Sequence, residues 1–287
     1  MPNTNQTLKI IFIGTPEFGA IILEKLIKSS HKPFLVITET DKPVGRKQTI
    51  TPPPVKVLAE KYNIPVAQPE KIADFASDIK NLKPDLGIIA AYGQILSKEI
   101  LSIPQYGFLN VHPSLLPRYR GSSPIQYTIL NGDEKTGATI IRISEKMDAG
   151  PILAQKEIAI SPKETFESLH DKLAELGAEL LVESLAKLSV GKLPPQPQDE
   201  ADVTYTKILK KDDGKIDWQK PAKEIDRQIR ALNPWPGTYT IYNGKRLKIL
   251  KADELGGRLT IQEVQLEGKN PTSFEDFFRG HPDFKPC

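Results

Sequence analysis

The chain has 287 residues, 39% of them hydrophobic and 26% charged, with a mean hydropathy of −0.34 and a formal net charge of +3. That length suits one larger and one smaller domain, and no apolar run is long enough to cross a bilayer. The single cysteine, Cys287, excludes an intrachain disulfide framework, and the polar Met1–Thr7 with the short apolar stretch after it does not make a signal peptide, so the expected compartment is the cytoplasm.

Leu8–Gly14 (LKIIFIG) is a short, isoleucine-rich apolar run that reads as a buried parallel strand. It ends at Gly14-Thr15-Pro16-Glu17, where Thr15 can cap a helix, Pro16 suits the first turn and Glu17 favours the positive end. Ile21, Ile22, Leu23, Leu26 and Ile27 continue at helical spacing. Strands are expected at Phe34–Thr38, Ile64–Ala67, Asp85–Ala91, Phe108–His112 and Thr139–Ile143, with a helix at Val55–Tyr62. This alternation predicts an α/β fold on a doubly wound, mostly parallel sheet. Thr165–Leu188 is a long amphipathic helix, and Ser189–Asp202, polar and carrying Pro194, Pro195 and Pro197, has the composition of a linker. From Lys207 the pattern changes to one helix (Ala222–Ala231), a Pro-Trp-Pro-Gly turn and short strands at Thr238–Tyr242 and Arg246–Leu250. The expected division is an α/β domain over 1–189, a linker over 190–206 and a small β-rich domain over 207–287.

Charge is spread unevenly. Met1–Thr206 carries 23 basic and 24 acidic residues, Lys207–Lys251 carries 12 and 5, and Ala252–Cys287 carries 4 and 7. A positive excess after the domain boundary fits a polyanionic partner, and it fits a solvated, lysine-rich surface as well.

The chemistry concentrates in Phe108–Pro117 (FLNVHPSLLP). Period-two alternation puts Asn110 and His112 on one face at the end of a strand, with Leu109 and Val111 on the other, and Pro113 stops the strand. Strand ends are where open α/β sheets bind ligands. An amide and an imidazole there suggest an oxyanion stabiliser and a general acid/base, the alternative being a histidine satisfied by a nearby carbonyl. Asp148, in the turn-prone Glu145–Pro151, can lie at a neighbouring strand end and orient His112, or be an ordinary surface aspartate. Ser114 is too close in sequence to His112 for a nucleophilic triad, and no nucleophile elbow is present. The four histidines (His31, His112, His170, His281) are scattered, which argues against a metal site. Gly14–Gly19 lacks G-x-G-x-x-G spacing, and Pro16 removes an amide that a pyrophosphate needs, which argues against a dinucleotide. Thr40–Pro54 is a long loop expected to have no structure of its own; Lys42, Arg46 and Lys47 around Gly45 can reach a phosphate backbone, or simply decorate a surface loop.

These segments resemble a known family. Asn110–Gly121 (NVHPSLLPRYRG), Gly14–Gly19 (GTPEFG) and Asp148-Ala149-Gly150 are similar to the shared motifs of the 10-formyltetrahydrofolate-dependent formyltransferases, and the resemblance to the methionyl-tRNA formyltransferases among them covers nearly the whole chain. The shared motifs bear on the chemistry rather than the acceptor, because purine-pathway and sugar formyltransferases carry similar ones. Asp41–Lys56 (DKPVGRKQTITPPPVK) resembles the inserted loop that enters the tRNA acceptor stem, Ile216–Gly237 the start of the C-terminal domain, and Val264–Gly280 its closing segment.

The resemblance implies a formyltransferase Rossmann-like fold, 10-formyltetrahydrofolate as co-substrate without a metal, and methionyl initiator tRNA as acceptor for translation initiation. It also implies a monomer with no membrane association. Asn110 would stabilise the oxyanion, His112 would move a proton from the amine toward the leaving nitrogen, and Asp148 would hold His112. Ser114, Leu115, Leu116 and Pro117 would line the folate site; Arg46 would be the main tRNA contact, beside Lys42 and Lys47. Two departures stand out. Lys47 is followed by Gln48 and Thr49 where the family often has further basic residues, and only about a dozen residues, roughly two strand lengths, separate Leu250 from Val264. The C-terminal domain is therefore expected as a shortened, barrel-like tRNA-binding unit. Alternatives are a formyltransferase for a small amine such as an amino sugar nucleotide, which the short C-terminal domain favours, and a non-catalytic RNA-binding protein, against which the intact Asn110, His112 and Asp148 count.

Overall fold

Five consecutive buried residues open the fold. Ile10–Gly14 (β1) runs into a helix at Glu17–Ile27 (α1) that buries Phe18, Ile22, Leu23 and Leu26. The computed structural model describes residues 8–45 and 47–284. In chain order there follow Leu35–Ile37 (β2), Lys42–Val44 (β3), Thr49–Thr51 (β4), Pro54–Lys61 (α2), Val66–Ala67 (β5), Ala76–Leu82 (α3), Leu86–Ala90 (β6), Lys98–Leu101 (α4) and Phe108–His112 (β7). Then come Arg120–Gly121 (β8), Pro124–Asn131 (α5), Lys135–Arg142 (β9), Ile152–Ala159 (β10), Phe166–Leu188 (α6) and Tyr205–Thr206 (β11).

Seven strands form the main sheet in the order β10-β9-β7-β6-β1-β2-β5. β1 is parallel to β2 and to β6, β6 to β7, and β2 to β5, while β7 and β9 are antiparallel with His112 opposite Thr139. The chain winds outward from β1 in both directions, so the gap between β1 and β6 is the topological switch point of a doubly wound sheet. β1, β2 and β6 are buried throughout, as strands covered on both faces should be. One face of the sheet packs Ile11, Ile13, Ile37, Ile89 and Phe108 against Ile72, Ile79 and Ile100.

Several local expectations change. Thr15 does not cap α1: the N-cap is Pro16 without a side-chain bond, and the Thr15 hydroxyl instead accepts from the Glu39 amide at 3.4 Å. The long loop before α2 is not structureless, because β3 and β4 pair as an antiparallel hairpin with Lys42 opposite Thr51. Three-residue strands and an internal Pro43 hid it.

The chain forms two compact units. The first takes the residues up to Arg120 with Gly137–Ile158 and His170–Tyr205; the second takes Gly121–Thr136, Ala159–Leu169 and everything from Thr206 onward. The second unit adds Ala222–Leu232 (α7), Tyr239–Tyr242 (β12), Lys245–Leu255 (β13), Arg258–Leu266 (β14), Thr272–Ser273 (β15) and Phe274–Gly280 (α8). Its core gathers Ile225 and Ile229 of α7 with Leu247, Ile249, Ile261, Val264 and Phe277. The dozen residues after Leu250 make no separate strands; they lengthen β13 and β14 into one hairpin. The sheet order is linear, β12-β13-β14-β15, and among the described residues no pairing closes it into a barrel.

Candidate active site

The site grows from the carboxyl end of β7. Alternation puts Asn110 and His112 on one face, and the burial follows: Leu109 and Val111 are buried on the other, Asn110 is half-buried and His112 is 3% exposed. Among the described residues nothing hydrogen-bonds the Asn110 side chain, so its amide donors remain available. His112 Nε2 lies 2.9 Å from the carbonyl oxygen of Tyr119. A carbonyl can only accept, so Nε2 carries the hydrogen and Nδ1 is the atom that gains or loses a proton. Nδ1 faces Asp148, whose Oδ2 is 3.7 Å away, within ion-pair range but beyond a direct hydrogen bond. The tautomer is therefore set by the Tyr119 carbonyl, and Asp148 supplies a nearby negative charge.

Both partners of His112 occupy unusual backbone. Tyr119 has φ 63° and Asp148 φ 48°, and Ala91, one residue past the end of β6, has φ 52°. Left-handed conformations cost about 1–3 kcal/mol for most non-glycine residues and collect at sites where geometry is dictated by function. Gly150 shows how tightly the Asp148 loop is fitted: a Cβ there would lie 1.7 Å from the Arg142 carbonyl oxygen. Gly19 of the opening turn is similarly constrained, since its Cβ would lie 2.8 Å from the Ala90 carbonyl oxygen.

The segment after His112 is held by a small polar network. Ser114 is fully buried, its hydroxyl donating to the Arg118 carbonyl at 2.7 Å. The Thr139 hydroxyl donates to the Ser114 carbonyl at 2.6 Å and accepts from the Leu116 amide at 3.2 Å, and Gln155 Nε2 donates to the Leu116 carbonyl at 2.9 Å. Ser114 and Leu116 thus shape this segment from beneath, while Leu115 and Pro117 remain half-buried.

Three further residues near these segments take no role from the sequence alone. Tyr92 places a buried hydroxyl without a partner two residues past β6, and burial, with the Glu39 carboxylate nearby, pushes its phenol up to about 12. Arg120, 1% exposed, donates to Gln198 Oε1 from Nε at 3.0 Å and from Nη2 at 2.8 Å, and pairs with Glu200 at 2.9 Å. Gln198 Nε2 in turn donates to the carbonyls of Asp148 and Gly150, both at 2.7 Å. A strand-end neighbour of β6 hints at Tyr92; nothing in the Pro-rich run hints at Gln198.

Among the described residues, Lys42 and Lys47 make no hydrogen bond or ion pair with this cluster. Lys42 and Lys47 sit on the exposed β3–β4 hairpin, Lys42 paired with Glu39 at 2.6 Å, and Arg46 lies outside the described residues. The hairpin is anchored at its base by Asp41, which accepts from Gln68 Nε2 at 2.8 Å and Lys56 Nζ at 2.9 Å; these bonds hold its carboxyl below its ordinary value. Among the described residues no group of three His, Cys, Asp or Glu side chains could hold a metal ion, and no helix is long and apolar enough to cross a membrane.

An amide, a proton-carrying imidazole and a carboxylate at the end of a doubly wound sheet are the equipment of an enzyme that moves an acyl-type group through a tetrahedral adduct. Residues 8–185 match the family described as Formyl transferase, and residues 208–257 match its C-terminal domain. The chain belongs to the formyl transferase family. A methionyl-tRNA formyltransferase of Geobacter metallireducens is 42% identical over 297 residues, covering 95% of this chain and 96% of the relative. Among solved structures, the sugar 3N-formyl transferase WlaRD, crystallised with dTDP and 5-N-formyl-THF, superposes with a TM-score of 0.66 at 19% identity, covering 93% of this chain and all of that one. A methionyl-tRNA formyltransferase from Clostridium thermocellum superposes with a TM-score of 0.62 at 18% identity, covering 90% of this chain and 98% of that one. At these identities the two structures speak for the fold alone.

Proposed function

We propose that the chain transfers the formyl group of 10-formyltetrahydrofolate to the amino group of methionyl initiator tRNA, giving formylmethionyl-tRNA for translation initiation in the cytoplasm. The observation that carries the chemistry is the locked His112 ring, with Nε2 on the Tyr119 carbonyl and Nδ1 on the Asp148 side, one strand step from an unengaged Asn110 amide. The acceptor is supported by the nearly full-length likeness to methionyl-tRNA formyltransferases.

The donor supplies an activated formyl group. The Asn110 amide donates to the oxygen that becomes negative as the amine adds, a role worth about 10²–10³ in rate for comparable donors. His112 Nδ1 takes the proton that the attacking amine sheds and returns it to the departing nitrogen, while Asp148 stabilises the imidazolium between the two events. Nε2 stays on Tyr119 throughout, so the ring does not turn. Leu115 and Pro117 present the apolar surface suited to a folate ring, backed by Ser114 and Leu116; the exposed Lys42 and Lys47 of the β3–β4 hairpin are suited to the tRNA backbone, with Arg46 as the main contact that the family resemblance implies.

The test is formyl transfer from 10-formyltetrahydrofolate to methionyl initiator tRNA, with uncharged tRNA as control. Turnover dependent on the aminoacyl group is expected. Turnover confined to an amino sugar nucleotide, with no tRNA reaction, overturns the acceptor and leaves the chemistry standing; none with either overturns both.

A further inference from the structure

We propose that Gln198 is a positioning residue for Asp148, so that the Pro-rich segment after α6 is part of what makes the site work; this rests on reading His112 and Asp148 as the proton-moving pair. In Pro194–Glu200 every residue is exposed except Gln198, which is half-buried. Its side-chain amide is fully used. Nε2 donates to the Asp148 and Gly150 carbonyls at 2.7 Å each, and Oε1 accepts both Arg120 bonds, at 2.8 and 3.0 Å.

The Asp148 loop needs such a clamp. Asp148 sits in the left-handed region, and the turn bond from Ala149 N to the Lys146 carbonyl is long, at 3.3 Å. Gln198 grips the backbone on both sides of Ala149, which fixes where the Asp148 carboxylate emerges. The same segment also holds the other half of the pair. Thr204 Oγ1 accepts from the Tyr119 amide at 2.8 Å, and the Thr204 carbonyl accepts from the Arg120 amide at 2.9 Å. Tyr119 is the residue whose carbonyl fixes His112. Gln196 pairs with Ile152 by two backbone bonds of 2.8 Å, anchoring the segment just before these two grips. One stretch of chain thus ties the anchor of His112 to the loop of Asp148, so the 3.7 Å separation of the pair is held through Tyr119 on one side and the Asp148 backbone on the other. Misplacing a reacting group by about 1 Å can cost on the order of 10²-fold in rate, so a loosened clamp is read in the chemical step.

The experiment measures single-turnover formyl transfer, KM for the aminoacyl-tRNA and Tm for Gln198→Ala and Gln198→Glu, each alone and combined with Asp148→Asn. Gln198→Glu separates the two ends of the clamp, because a carboxylate still accepts from Arg120 but cannot donate to the two carbonyls. Both single variants are expected to slow the chemical step by about tenfold or more, with KM little changed; Tm is expected to fall more in Gln198→Ala, which strips buried Arg120 of an acceptor, than in Gln198→Glu, which keeps one. That loss is expected to vanish in the Asp148→Asn background, since two residues acting through one group are not additive. Either single variant within about twofold of the parent, or an equal loss in both backgrounds, overturns the proposal. Asp148→Asn slowed with Gln198→Ala unaffected overturns the proposal alone. Parental turnover in Asp148→Asn removes the reading beneath it, and the proposal with it.

Discussion

The end of β7 and the β3–β4 hairpin are both polar interruptions of an apolar α/β pattern, yet they are built in opposite ways. At β7, His112 is buried, its ring is fixed by a carbonyl, and the segment that follows is pinned by Ser114, Thr139 and Gln155. In the hairpin, every described residue from Lys42 to Thr51 is exposed, and the support comes from Asp41 at its base. Proton transfer demands groups placed to a fraction of an ångström in a site shielded from water, whereas a phosphate backbone is met by charge and reach. The first kind of site is destroyed by a small displacement; the second is weakened in proportion to the charge removed.

The largest effects should fall on the buried side. His112→Ala is expected to lower kcat by about 10²–10⁴-fold, and Asp148→Ala to abolish measurable steady-state transfer while circular dichroism remains native. Near-parental turnover in either variant breaks the assignment of the proton pathway. Asn110→Ala follows, with an expected loss of about 10²–10³-fold in kcat and little change in KM; a loss confined to KM would make Asn110 a binding group only. For the loop that carries the tRNA proposal, Arg46→Ala is expected to weaken kcat/KM for the tRNA and to reduce the slope of log affinity against log salt by about one unit, leaving folate binding unchanged. Equal losses toward tRNA and folate would erase the contrast between the two regions.

How much of this could be read beforehand follows from the same contrast. β7 was legible residue for residue because Asn110 and His112 alternate with Leu109 and Val111 up to a stopping proline, and their shared face was legible with it. Asp148 was legible as a polar residue in a turn after a strand. The hairpin was not, because Lys-Pro-Val and Thr-Ile-Thr are too short and too exposed to show a strand period. β10 has no clear sequence signal because only Leu153 of its eight residues is buried, and α5 none because eight residues opening on a proline give little helical pattern. The Tyr119 carbonyl could not be foreseen, since a backbone acceptor has no residue signature. Gln198 could not either: its partners lie 48 to 78 residues away in sequence, and the run around it has the composition of a spacer.

The smallest effect sharpens the buried side of the comparison. The Tyr92 hydroxyl is buried without a hydrogen-bond partner among the described residues, whereas the Ser114 and Thr139 hydroxyls near His112 are hydrogen-bonded. Burying such a group unpaired costs free energy, so Tyr92→Phe is expected to leave Tm unchanged or raise it, by no more than about 1 kcal/mol in stability. The size of the difference depends on pH. Burial pushes the folded-state phenol up to about 12 from an ordinary value near 10, so the unfolded chain ionises first as pH rises. The parent therefore keeps its full stability below about pH 10 and loses part of it between there and the folded value, a loss that the phenylalanine variant lacks. Thermal melts of the two proteins across that range should diverge in favour of the variant. A variant that melts earlier at neutral pH would mean that the hydroxyl has a partner in solution, and Tyr92 would then belong with the matched groups of the site.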